Sequence, residues 1–117
     1  MREEVRDPLR LVHIRDACER LIHSFPEMIV PELDSKSLEY YGVVKNLEII
    51  GEAAYKLTHE FTQSHPATDW RAIIKMRHLM VHGYYKVNPK IVKEIMEEEI
   101  IPLYRQIKEY LAEYATE

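Results

Sequence analysis

The sequence predicts an all-α protein, a four- to five-helix antiparallel up-and-down bundle, and three observations predict it. Only three glycines occur in 117 residues, too few for a sheet that turns tightly between many strands. The six prolines fall mostly where a helix would begin or end, the positions at which a missing N–H costs least. Apolar residues recur at alternating steps of three and four, the spacing that gathers them on one side of a helix.

The first helix is expected to open at Asp7 as N-cap with Pro8 in its first turn. Leu11, Ile14, Cys18, Leu21 and Phe25 form its apolar stripe, and it ends before Pro26. The stretch from Pro26 to Asp34 contains two prolines and reads as a connection. Asp34, Ser35 or Ser37 can cap a long second helix. There, Tyr40, Leu47, Ala54 and Phe61 make one seven-residue series and Val43, Ile50 and Leu57 another, the seam of a helix packed lengthwise on its neighbours. It is expected to run to about His65, where Pro66 stops it. Gly51 inside it costs roughly 1 kcal/mol relative to alanine, so either another backbone approaches there or the glycine is a tolerated surface residue. Thr68 or Asp69 caps a third helix, from Trp70 to near Gly83. Asn88 and Pro89 open a fourth, which Pro102 should bend or divide before it finishes around Tyr114.

A chain of this length, 46% hydrophobic, supports one core, so residues 1–117 are read as a single domain. The net charge of −4 and pI near 5.9 exclude a protein that coats nucleic acid through a basic surface, so any RNA contact must be local. Cys18 is the only cysteine, which rules out an internal disulfide and a cysteine-rich zinc site and suits a reducing compartment. No apolar run approaches the ~18 residues that span a bilayer, and the charged start MREEVRDPLR lacks a signal-peptide core. A cytoplasmic protein without membrane association is expected.

The third helix carries the chemistry. At ~100° per residue, Trp70, Ile73, Ile74, Met80, Val81 and Tyr84 gather on one side, and Arg77 falls in the middle of that stripe. A guanidinium there must either pair with a second-helix carboxylate such as Glu48 or Glu52 or face a wet interface. The other side bears Arg71, Lys75, His78 and His82. No acidic residue occurs between Trp70 and Lys90, a window that also holds Lys86. Such a patch suits an RNA backbone, although a solvated helix face has the same composition. His78 and His82, four apart, share a face. With no third ligand at motif spacing and cations nearby, no metal site is expected. Cys18 lies on an apolar stripe and reads as core.

From Arg77 to Tyr84 the chain reads RHLMVHGY, which resembles the R-x4-H-x-Y signature of the HEPN superfamily, specifically the HepT-like toxins. NLEIIGEAAYKL from Asn46 to Leu57, the DWRAIIKMR run and the late proline-containing helix resemble that family in the same order. The resemblance covers most of the chain. It implies a helical bundle that forms a homodimer and cleaves RNA without a metal or other cofactor. It also implies a cognate minimal nucleotidyltransferase antitoxin as partner, with Arg77 and His82 as the catalytic pair and Tyr84, not Tyr85, as the acceptor of AMP from that antitoxin. Arg71, Lys75, His78 and Lys86 are the candidates for RNA contact. One position departs from the pattern: His78 stands where the family usually has asparagine.

These roles are chemically coherent. Metal-free cleavage needs a base for the ribose 2′-hydroxyl, and the ordinary pKa of His82, near 6.5, suits it. It also needs a cation for the phosphorane, which Arg77 can supply through bidentate hydrogen bonds. Residues five apart on an ideal helix point ~140° away from each other. A composite site across a two-fold axis, or a distortion before Gly83, would bring the pair together. A different class of function remains compatible with the same face: a non-catalytic helical module that binds nucleotide or a partner nucleotidyltransferase.

Overall fold

The computed structural model describes residues 3–82 and 88–115, all of them helix or connection. Leu11, Ile14, Cys18, Leu21 and Phe25 line the buried side of α1 (Glu3–Ser24). This helix starts four residues before Asp7, and Pro8 lies inside it. Asp7 is therefore not an N-cap. Its carboxylate, 3% exposed, accepts hydrogen bonds from the Thr58 N–H at 3.0 Å and the Thr58 hydroxyl at 2.7 Å, which satisfies a charge that burial would otherwise penalise heavily.

That contact also corrects the expected length of the second helix. α2 (Leu38–Tyr55) begins at Ser37, whose hydroxyl caps the Tyr40 N–H at 3.0 Å. It ends ten residues short of His65, and a separate α3 (His59–Ser64) follows. Thr58 caps α3 by accepting from the Phe61 N–H at 3.2 Å while donating to Asp7. With both roles filled, the Thr58 backbone is extended, and the apolar series continues through Leu57 and Phe61 on a broken backbone.

Of the two candidates for the cap of α4 (Trp70–His82), Asp69 takes the role, its carboxylate accepting from the Ala72 N–H at 3.1 Å. Thr68 is buried and turns to α5 (Pro89–Ala115), bonding Gln106 at 2.7 Å and the Tyr110 hydroxyl at 2.6 Å. Asn88 caps α5 through the Lys90 and Ile91 N–H groups. Pro102 does not divide α5. It sits exposed on the outer side, where the carbonyl left without a partner can bind water. The inner side of α5 buries Val92, Met96, Ile100, Leu103, Ile107 and Tyr110.

α1 packs between α2 and α5, and α2 packs between α1 and α4. α4 thus lies against α2 at one margin of the bundle. Phe61, His65, Trp70 and Tyr110 form an aromatic cluster that joins α3, α4 and α5. Among the described residues, no helix is long and apolar enough to cross a membrane. The expected helix end at Gly83, together with Tyr84, Tyr85 and Lys86, lies outside the described residues.

Candidate active site

The site starts from the point where α2 and α4 come closest. Gly51 is buried, and a Cβ added to it would lie 2.8 Å from the Cα of Arg77 and closer still to its Cβ. Gly51 is therefore the close-approach glycine, not a surface one, and only a residue without a side chain lets Arg77 sit at this depth.

From that crossing the Arg77 side chain runs along the seam. Its Nε–H donates to Oε2 of Glu52 at 2.7 Å, and its guanidinium carbon lies 4.9 Å from the centroid of the Tyr55 ring. Glu52 is thus the second-helix partner of Arg77, while Glu48 pairs with Lys45 at 3.6 Å. The Glu52 carboxyl is held below the usual carboxylate range, chiefly by the hydrogen bond from Arg77, against partial desolvation; Lys56, 3.5 Å away, adds to the lowering. The Arg77 side chain keeps 22% of its surface open. Among the described residues its two terminal nitrogens make no hydrogen bond, so the far edge of the guanidinium presents the paired donors that a phosphate accepts.

α4 is described as far as His82; the side chain of His82, like Tyr84 and Lys86, lies outside the described residues. The backbone is α-helical without interruption from Trp70 to His82. Positions 77 and 82 are therefore ~140° apart about the axis, with no backbone distortion between them. Arg71, Lys75 and His78 are all exposed, at successive steps of four and three along α4. Arg71 and Lys75 make no ion pair among the described residues, so this face has a positive potential. Trp70 and Met80 are buried, and Ile73, Ile74 and Met76 pack partly against the core. Leu79 and Val81 are also only half-buried.

Among the described residues, no three His, Cys, Asp or Glu side chains converge in a metal-binding group. Cys18 is buried, and desolvation pushes its thiol up to about 12, which fits a packing role. Tyr55 joins the site without a signal in the sequence. It stands next to two core alanines in an apolar run, and nothing in that spacing marks its ring as facing Arg77.

The family model described as Ribonuclease HepT-like matches residues 14–110. The chain is 36% identical over 101 residues, 86% of its length and 90% of the relative's, to a candidate RNase of Caldanaerobacter subterraneus subsp. tengcongensis. It is 33% identical over 60 residues, 51% of its length and 54% of the relative's, to a Thermococcus cleftensis protein named "Probable ribonuclease HepT". A candidate RNase of Methanocaldococcus jannaschii is 21% identical over 98 residues, 84% of this chain and 90% of the relative. No solved structure matches the chain significantly.

Proposed function

The chain belongs to the HepT-like ribonuclease family, and from that premise we propose that it is a metal-independent endoribonuclease, the toxin of a cytoplasmic toxin–antitoxin pair. The observation that carries this reading is Arg77, a cation seated at a helix crossing, its terminal donors without a hydrogen bond among the described residues, beside the exposed Arg71 and Lys75. His82 takes the proton of a ribose 2′-hydroxyl. The 2′-oxygen attacks phosphorus as the bond to the 5′-oxygen breaks, the 5′-oxygen takes a proton from water and leaves as a hydroxyl, a 2′,3′-cyclic phosphate remains, and Arg77 stabilises the charge on the phosphorane oxygens. Arg71, Lys75, His78 and Lys86 bind the flanking RNA backbone.

The working unit is a homodimer. The ~140° between positions 77 and 82 favours a site shared between two copies, and the half-buried Ile73, Ile74, Met76, Leu79 and Val81 supply apolar surface for their contact. A cognate nucleotidyltransferase controls the enzyme: the Tyr84 hydroxyl oxygen attacks the α-phosphorus of ATP, pyrophosphate leaves, and the added phosphodiester repels RNA from the basic face.

RNA cleavage by the purified protein in EDTA tests the reaction, with the product end identified as a cyclic phosphate. His82→Ala and Arg77→Ala should each lose at least ~10² in rate while keeping the helical circular dichroism. A requirement for a divalent ion, or an unimpaired His82→Ala variant, would overturn the mechanism. Failure to cleave by a protein that still dimerises and binds its nucleotidyltransferase would leave the non-catalytic module as the function. Intact-mass measurement and peptide mapping of the co-expressed pair should place AMP on Tyr84, and modification of Tyr85 alone would overturn that assignment.

A further inference from the structure

Tyr55 closes α2 with its side chain 59% exposed, and its hydroxyl makes no hydrogen bond among the described residues. An aromatic ring left open to water in this way contributes little to the core. Its surroundings are specific, however. Arg77 lies over the ring at 4.9 Å and is fixed there by Glu52, one helical turn before Tyr55 at 2.7 Å from the guanidinium. Lys56, next in sequence, is exposed and pairs with the same Glu52 carboxylate at 3.5 Å. A phosphate held by Arg77 would thus have an open aromatic surface within reach of its own nucleotide or the next.

Single-stranded RNA is held by this combination, a cation for the backbone and an aromatic face for an unstacked base. We propose that Tyr55 is a base-stacking platform, receiving the nucleobase that adjoins the phosphate bound by Arg77. The inference rests on the reading of Arg77 as the phosphate-binding residue. It adds that the site selects single-stranded or bulged RNA, because a base paired within an A-form helix cannot lay its face on the Tyr55 ring. Purines, with the larger π surface, should be preferred at that position.

Fluorescence anisotropy with two probes of equal charge tests the proposal: a labelled twelve-residue oligoadenylate and an abasic ribose-phosphate oligomer of the same length, at one fixed salt concentration. To prevent cleavage, each protein carries His82→Ala. Tyr55→Ala should weaken oligoadenylate binding by about five- to a hundredfold and leave abasic binding unchanged, whereas Tyr55→Phe should retain both affinities. Arg77→Ala should weaken both probes alike. Equal losses on the two probes in Tyr55→Ala, or no loss on either, would overturn the stacking role. Sedimentation of Tyr55→Ala as a monomer when its parent is a dimer would overturn it in favour of an interface contact. If Arg77→Ala binds both probes normally, the phosphate-binding reading itself fails, a result that the Tyr55 variants alone cannot produce.

Discussion

The Nε of Arg77 lies 2.7 Å from Oε2 of Glu52, so the cation assigned to the phosphate rests against a carboxylate of the neighbouring helix. Glu52 uses up one edge of the guanidinium and aims the other outward. It touches no reacting atom in this arrangement and acts as a positioning residue. Glu52→Ala should therefore lower kcat by about ten- to a hundredfold, the scale of a misplaced catalytic group, with a smaller change in KM. Glu52→Gln should recover part of the loss, because its amide oxygen still accepts from Nε. The depressed folded-state pKa of Glu52 means that its stabilising contribution is present above the unfolded value near 4.5 and is lost as pH falls through the folded one. The acid limb of the rate profile should therefore stay in place in Glu52→Gln, since Glu52 remains ionised well below neutral pH; a displaced limb would contradict this.

Gly51 and Gly42 both lie in α2, yet a Cβ at Gly51 meets Arg77, whereas one at Gly42 meets nothing within 4 Å. Gly42→Ala should stabilise the fold by about 0.5–1 kcal/mol through helix propensity. Gly51→Ala forces the two helices apart and should destabilise it by about 1–3 kcal/mol. Urea unfolding of the two variants side by side checks the contrast, and stabilisation in both would refute the close approach.

Asp7 holds the Thr58 N–H and hydroxyl from a buried position. Asp7→Ala should cost about 2–4 kcal/mol, since it removes two hydrogen bonds to a charged group and strands both donors. Asp7→Asn, which keeps one acceptor oxygen, should cost less. Equal unfolding midpoints for wild type and Asp7→Ala would argue against this latch.

His65 bonds Glu113 through Nε2 and the Phe61 carbonyl through Nδ1, each at 2.9 Å. Burial pulls its pKa down, but these two acceptors outweigh burial and raise it. Stability from the protonated ring is therefore complete below the unfolded value near pH 6.5 and lost as pH rises through the raised folded value. Glu113→Gln should lower the urea midpoint measurably at about pH 5.5 and much less at about pH 9. A deficit that does not depend on pH would show that the contact does not involve the imidazolium.

Much of this arrangement can be read from local pattern. The start of α4 at Trp70 and the caps at Ser37 and Asn88 follow from residues a few positions apart, whereas the glycine in α2 and the arginine in an apolar stripe only pose a choice that the crossing of α2 and α4 decides. The break at Lys56–Thr58 does not follow from local pattern. The apolar series runs straight across it, and the backbone is interrupted because Asp7, 51 positions away in sequence, claims the Thr58 N–H and hydroxyl. The same limit applies to Thr68, whose hydroxyl would suit a cap but meets Gln106 and Tyr110 on α5. Tyr55 was hidden for a related reason: the direction of an aromatic side chain at a helix end is set by the arginine that crosses it.

Trp70 is the only tryptophan, 6% exposed, with its indole N–H bonded to the His65 carbonyl at 2.9 Å and its ring against Phe61 and Tyr110. It precedes Arg77 by seven residues, about 10 Å along the axis of α4. The protein thereby carries an intrinsic fluorophore in its aromatic junction, close enough to register the unfolding of α4 and remote enough to miss a change confined to the guanidinium. An emission maximum that stays blue in a variant that has stopped binding RNA identifies a lesion of the site. A red shift identifies a lesion of the fold, without any added label.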